Sequence, residues 1–495
     1  MERTYYLGLD QGTTGETALL LDGSLRAVGR GYSEHRQLYP RPGWVEHDPE
    51  EILSSLLRAA QQALAAAGAD WRQVRAIGLD NQGETCLMWD RLTGAPVYPA
   101  IVWQDRRTAA EADALAASHG RQIREKTGLT PDAYFSATKL RWILDHVPGV
   151  REGVAAGRIL AGTLDSWLIW RLTGGARHVT DAATASRTML CSIHTGQWDE
   201  ELLAWVGVPR SILPEIVPCA GDFGVTDPRL TGGAAVPLRG LIVDQQAALY
   251  GQGCYAPGDA KVTYGTGCFL LMNAGPRPPA QDGRLLTSVA WRLDGQTHYA
   301  LDAGIYTAGA AVQWLKNQMQ MIASAAETEA LAQSVPDNGG VYFVPAFSGL
   351  AAPYWDQYAR GTVVGLTGGS TRAHLVRSTL ESIAYQVGEN LSLMRSQSGR
   401  DVPVIRADGG MTANRFLMQF QADIAGVPVE VPSQPDATAL GAALLARCGM
   451  GDEAPFTREA PCSVRRYEPQ MAEDQRRALL DDWRRAVACA GSWAK

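Results

Sequence analysis

The chain reads as an α/β protein of two domains with a cleft between them. Three observations predict this. At 495 residues the chain is too long for one core, given a usual ~100–200 residues per domain. A strand, a glycine-threonine turn and a second strand occur at Tyr5–Leu21 and again at Lys261–Met272, one copy in each half. Elsewhere, short apolar runs end in polar turns and lead into helices, as in α/β proteins. The expected domains are residues 1–250 and 251–495. Between them, Gly251-Gln252-Gly253 through Pro257-Gly258 punctuates the chain as a hinge would.

The first hairpin carries Asp10-Gln11-Gly12-Thr13-Thr14-Gly15 at its tip. Gly12 and Gly15 let backbone N–H groups approach an anion, and the Thr13 and Thr14 hydroxyls add donors. Asp10, ending the first strand, is placed to meet Mg²⁺ beside phosphates. An ordinary surface hairpin would show the same pattern. The second copy, Tyr264-Gly265-Thr266-Gly267-Cys268, favours two phosphate-type hairpins facing one nucleotide.

Composition removes several classes of function. A net charge of −7 argues against a nucleic-acid or anionic-membrane partner. The few lysines, at 126, 139, 261, 316 and 495, lie in no G-x-x-x-x-G-K-[ST] loop, which excludes a P-loop ATPase. No apolar run reaches the ~20 residues that span a membrane. No signal peptide is expected, because Met1-Glu2-Arg3-Thr4 leads straight into a strand. The eight cysteines, Cys462 among them, show no C-x-x-C spacing, so free thiols in a reducing cytoplasm are expected.

The remaining elements follow in order. Asp48 is the expected N-cap of a helix, with Pro49 in its first position and Glu51 completing a capping box. Ile52, Leu53, Leu56, Ala60 and Leu64 form its apolar stripe. His47, alone in a loop, reads as a hydrogen-bonding residue rather than a metal ligand. Val74–Leu79 is a buried strand ending in the polar turn Asp80–Thr85, with Glu84 its charged candidate, and Cys86–Trp89 resumes the sheet. Trp103–Arg107 opens another helix. Tyr134 offers a flat face and a hydroxyl for a sugar or polyol; a core tyrosine with its hydroxyl satisfied fits equally well. Leu241–Val243 is a short strand delivering Asp244, well placed as a general base. In the second half, Gly304–Gly309 enters a helix carrying Gln313 and Trp314. A long helix spans Thr371–Met394, and a strand at Val402–Ala407 leads to Gly409-Gly410 and a helix at Phe416–Ile424. Backbone amides at that helix start can accept a phosphate or lie against an adenosine. The Ala/Gly-rich helix Ala437–Ala446 suits close packing on a sheet, and the charged tail from Cys462 onward reads as a surface helix.

Together, Asp10–Thr14, Pro42–Pro49, Tyr134–Lys139, Asp244–Leu249, Tyr264–Cys268 and Leu380–Tyr385 resemble the FGGY carbohydrate kinases, and among them the glycerol kinases. The resemblance covers nearly the whole chain. It implies two actin/hexokinase-like (ribonuclease H-like) domains, ATP and Mg²⁺ as cofactors, and a small polyol or sugar acceptor, with glycerol going to glycerol 3-phosphate. A cytoplasmic homodimer or homotetramer with no nucleic-acid or membrane partner is expected. By the same resemblance, Gly12, Thr13, Thr14, Thr266 and Gly267 would grip phosphates, with Asp10 near the metal. Gly309 and Gln313 would line the nucleotide site, and Gly410 and Asn414 would contact adenosine. Asp244 would be the general base. Glu84, Tyr134, Asp244 and Gln245 would bond the acceptor, and Trp103 and Phe269 would wall its carbon chain.

Three departures stand against this pattern. Gly83 and Thr17 occupy positions where glycerol kinases carry arginines, so two cations are missing from the expected site. Gly83 should also leave a space of arginine size and a pocket for a longer polyol or a sugar. Ala235 replaces the arginine of a fructose 1,6-bisphosphate loop, so no inhibition by that effector is expected. A nucleotide-binding regulator without turnover is the rival from another class. The intact Asp10, Asp244 and hairpins argue against it.

Overall fold

The computed structural model of the protein describes residues 4–433, 436–456, 464–491 and 493. Strands β1 (Tyr5–Gln11), β2 (Gly15–Leu21) and β3 (Ala27–Glu34) form an antiparallel meander. β4 (Val74–Asn81) and β5 (Leu238–Val243) then join in parallel on the β1 side, giving the order β5-β4-β1-β2-β3. β1, β2, β4 and β5 are buried on both faces, which explains their near-continuous apolar runs, while the edge strand β3 is largely exposed.

The second sheet contains β6 (Ala260–Tyr264), β7 (Cys268–Gly275), β8 (Leu286–Leu293), β9 (Gln296–Ile305), β10 (Ile405–Asp408), β11 (Val429–Pro432) and β12 (Val464–Tyr467). Its order is β8-β9-β7-β6-β10-β11-β12. Without the edge strands β8 and β12, it repeats the first sheet: an antiparallel meander β6-β7-β9, with β10 and β11 parallel beside β6. The repeat visible in two short hairpins therefore extends over five strands. Both glycine-threonine turns sit at the same topological place, between the first two strands of their sheets. The two-domain α/β fold is the expected one.

Seven helices carry the argument about the site: α1 (Pro49–Ala66), α2 (Asp244–Gly251), α3 (Gly309–Asn317), α4 (Arg372–Ser398), α5 (Arg415–Ala425), α6 (Ala437–Gly449) and α7 (Glu473–Ala490). α6 belongs to the second half by sequence yet packs on β1, β4 and β5 of the first sheet. Small residues make that possible. A Cβ on Gly8 would collide with the carbonyl oxygen of Ala439, and one on Gly78 with that of Ala442. Backbone thus lies on backbone, the close approach its Ala/Gly composition suggested.

Several local expectations need correction. β4 runs through Asp80 and Asn81, so the polar turn starts only at Gln82. Cys86–Asp90 does not rejoin the first sheet; it pairs with Ile159–Thr163 in a separate four-stranded sheet. Asp48 caps α1 by accepting from the Glu50 amide (3.0 Å), but no capping box forms, because Glu51 instead accepts from the backbone N and Nε of Arg36. The helix after Trp103 begins only at Ala109. α7 is charged outside but buries Trp483, Val487 and Ala490. Cys462 lies outside the described residues. Among the described residues no helix is long and apolar enough to cross a membrane.

Candidate active site

The site forms at the carboxyl ends of the parallel strands, where α/β sheets place their chemistry. Register brings three carboxylates there. Asp10 on β1 lies directly opposite Asp80 on β4, and Val243 at the end of β5 lies opposite Asn81. The next residue, Asp244, opens α2, and its Oδ1 accepts from the Gln245 amide at 2.6 Å. Burial, reinforced by the charge of Glu84 and opposed by Lys261, pushes the Asp244 carboxyl up to about 6. Asp10 is pushed up to about 7, chiefly by burial and further by the charge of Asp244. Asp80 is fully buried, and neither of its carboxylate oxygens has a hydrogen-bond donor.

A cavity of about 140 Å³ opens on Asp244. The first half lines it with the expected Glu84, Trp103, Tyr134 and Gln245, together with Thr13. The second half contributes the expected Phe269. Trp103 Nε1 donates to Thr13 Oγ1 at 2.9 Å, which ties this cavity wall to the tip of the first hairpin. The Trp103 ring meets Tyr134 edge-on at 5.7 Å and Phe269 at 6.5 Å between centroids. Lys261, buried on β6, donates from Nζ to Gln245 Oε1 (2.5 Å) and Thr263 Oγ1 (2.9 Å), holding Gln245 in place.

Two charged lining residues escaped the sequence reading. Arg187 follows the short helix Ala182–Ser186, and Asp302 lies on β9. Arg187 Nε donates to Glu84 Oε1 at 2.7 Å, and Nη1 lies 2.9 Å from Asp302 Oδ2. The cavity therefore does hold a cation, supplied from a different part of the chain than expected. One signal was available: Arg187 is the only charge in the small and apolar run Ala182–Ile193, and a buried arginine needs carboxylate partners.

Gly83 does not leave an open space. A Cβ there would lie 2.7 Å from Val243 Cγ2, so the valine methyl already fills the volume beside it. The volume next to Gly83, itself a lining residue, is thus taken up by Val243 rather than added to the cavity. Thr17 is buried in β2 opposite Asp10, and Glu16 points the other way, with its Oε1 2.8 Å from Nδ1 of the buried His35. His47 hydrogen-bonds Gln37 (2.7 Å) and Gln82 (3.3 Å), as expected of a hydrogen-bonding residue. Gln37 in turn donates to the Thr13 carbonyl at 2.7 Å, bracing the first hairpin from behind.

On the second sheet the candidate nucleotide residues gather around the other hairpin. The Thr266 carbonyl accepts from the amides of Ala308 and Ala310, both at 3.0 Å, and the Gly265 carbonyl accepts from Gly309 at 3.0 Å. A Cβ on Gly309 would sit 2.6 Å from that Gly265 oxygen, so only glycine lets α3 start against the hairpin. Gly409 has φ +92° and rests on the Tyr264 backbone. Gly410 beside it is exposed, with open space where a side chain would be. Gln313 is exposed one turn into α3, and Thr14 and Thr266 are exposed at the two hairpin tips. The Asn414 side chain is already committed. Its Oδ1 accepts from the Leu417 amide (3.0 Å) and its Nδ2 donates to Thr328 Oγ1 (3.1 Å).

Residues 5–251 match the N-terminal domain of the FGGY family of carbohydrate kinases, and residues 260–450 match its C-terminal domain. The chain belongs to the FGGY family. FGGY proteins similar to it along their whole length include a glycerol kinase from Symbiobacterium thermophilum, 53% identical with 100% of both chains covered. A glycerol kinase from Halorhodospira halophila is 50% identical, covering 100% of this chain and 98% of its own. Among solved FGGY kinases, the Plasmodium falciparum glycerol kinase with ADP superposes with a TM-score of 0.91 at 34% identity, over 99% of this chain and 98% of that one. A xylulose kinase from Rhodospirillum rubrum gives 0.83 at 25% identity, over 98% of each. The protein is accordingly a carbohydrate kinase, a phosphotransferase acting on an alcohol group.

Proposed function

We propose that the protein transfers the γ-phosphoryl group of ATP to a terminal hydroxyl of glycerol, giving glycerol 3-phosphate. The cavity carries this reading. At about 140 Å³ it is small against the ~300–1,000 Å³ of drug-sized ligand sites, it is walled by Trp103 and Phe269, and it opens on Asp244. The full-length relatives named glycerol kinase support the same acceptor.

Glu84, Tyr134 and Gln245 would hold the acceptor hydroxyls, with the carbon chain between the two aromatic walls. Asp244, ionised above about pH 6, takes the proton from the attacking hydroxyl. As that oxygen bonds to the γ-phosphorus, the bond to the bridging oxygen breaks and ADP leaves. Gly12, Thr13 and Thr14 from one sheet and Thr266 and Gly267 from the other present donors to the phosphates. Gly309, Gln313, Gly410 and Asn414 would flank the nucleotide, Asn414 through its backbone because its amide is occupied. The donor set fits Mg²⁺: Asp10 and Asp80 give two adjacent carboxylates, and Asp80 lacks any other donor. When bound there, the ion would neutralise charge on the phosphates. A cytoplasmic homodimer or homotetramer completes the reading.

An ATP-consumption screen over glycerol and polyols and sugars of up to six carbons tests it. Glycerol should be preferred. A clear preference for a five- or six-carbon acceptor would overturn the substrate, and no acceptor-dependent ATP consumption at all would overturn the enzyme.

A further inference from the structure

We propose that Arg187 is an acceptor-binding residue that reads a hydroxyl other than the one phosphorylated, and so fixes which end of the polyol meets Asp244. This builds on the glycerol reading above. Arg187 is only 4% exposed, yet it lines the cavity. Its Nε is committed to Glu84, but Nη1, although 2.9 Å from Asp302 Oδ2, has no hydrogen-bond acceptor in good alignment. A buried guanidinium N–H without an aligned acceptor is an open valence at the cavity wall.

The surroundings select what can fill it. Glu84 and Asp302 pair with this arginine and Asp244 adds a third carboxylate to the same cavity lining, so an anionic ligand would be repelled. A hydroxyl suits the place, because it can accept from Arg187 while donating to Glu84. Arg187 also lies 5.6 Å from the centre of the Tyr134 ring, so its contact falls on the same wall as the expected acceptor residues. The arginine's partners come from both halves of the chain, Glu84 from the first and Asp302 from the second. Its orientation is therefore set only when the two halves are assembled around the cavity.

The test crosses enzyme variants with acceptor analogues. kcat/KM is measured for glycerol, for 1,3-propanediol (no middle hydroxyl) and for 1,2-propanediol (no far hydroxyl). The full-length wild type is compared with Arg187→Lys, which keeps the charge between Glu84 and Asp302, and with Arg187→Gln. The glycerol value should fall about ten- to a hundredfold, as expected for loss of a hydrogen bond from a charged group. The diol that lacks the contacted hydroxyl should stay within about twofold of wild type, as for an interaction already absent. The KM for ATP should not move. Parallel losses for glycerol and both diols would make Arg187 a strut between the halves and overturn the proposal. So would an unchanged glycerol value. Should the wild type ignore glycerol and use another polyol, the substrate reading falls alone, and the same cross with that polyol's deoxy analogues decides Arg187.

Discussion

Asp244→Asn should abolish turnover and at the same time stabilise the protein at neutral pH. The substitution keeps the shape and leaves an oxygen to accept from the Gln245 amide. It removes a carboxyl that the fold pushes up from 3.8 to about 6 by burial and by the neighbouring Glu84. A folded-state value above the unfolded one means that the fold favours the neutral acid. The cost of ionising it is therefore absent below about pH 3.8, grows between about 3.8 and 6, and is complete above 6. At about 1.4 kcal/mol per pH unit, that cost reaches about 3 kcal/mol at most. Thermal unfolding of the ligand-free wild type and variant at pH 5 and pH 8 reads it directly. The variant should melt higher at pH 8 by on the order of 3–6 °C, with a clearly smaller gain at pH 5. Coupled detection of ADP should show no glycerol-dependent turnover. For the wild type, kcat/KM should fall as pH drops through about 6, where the base becomes protonated. Undiminished turnover in the variant would remove Asp244 as the base. A gain in stability equal at both pH values would show that its ionisation carries no penalty.

Other perturbations follow from the same contacts. Gly83→Arg should cost about 1–3 kcal/mol through overpacking against Val243, and adding Val243→Ala should recover much of it, both visible in melting temperature and in KM for glycerol. Gly78→Ala should destabilise the protein by about 3 kcal/mol or more, because the new Cβ meets the Ala442 carbonyl; soluble yield and melting temperature report it, and a neutral result would refute the backbone-on-backbone packing of α6. Fructose 1,6-bisphosphate at millimolar concentration should leave the rate unchanged, since Ala235 offers no cation, and dose-dependent inhibition would contradict this.

Much of the site was legible because its signals are local. A hairpin's turn needs glycine and threonine at fixed offsets, and a strand that ends in Asp244 announces a carboxylate at a sheet edge. So Asp10, Thr13, Glu84, Tyr134 and Asp244 could be named from the residues, and Trp103, Gln245 and Phe269 from the family resemblance; all but Asp10 line the cavity. The arginine that serves that cavity could not. Counting cations at two expected positions found them missing, whereas the charge arrives from a segment about 100 residues away and is held by a carboxylate from the other half. Gly83 misled for a related reason: its neighbour in space, Val243, is 160 positions distant in the chain, and absence of a side chain says nothing about what fills the gap.

The sequence alone thus determined the α/β class and the repeated hairpins and singled out Asp244 as the candidate base, because each depends on residue types within a few positions of one another, while the family resemblance supplied much of the candidate acceptor lining. Only the tertiary structure decided which sheet Cys86–Asp90 joins, that α6 crosses back onto the first sheet, that Asp80 stands beside Asp10, and that Arg187 lies between Glu84 and Asp302. Those facts are pairings between distant segments, fixed by sheet register and side-chain packing, and no short stretch of chain encodes them.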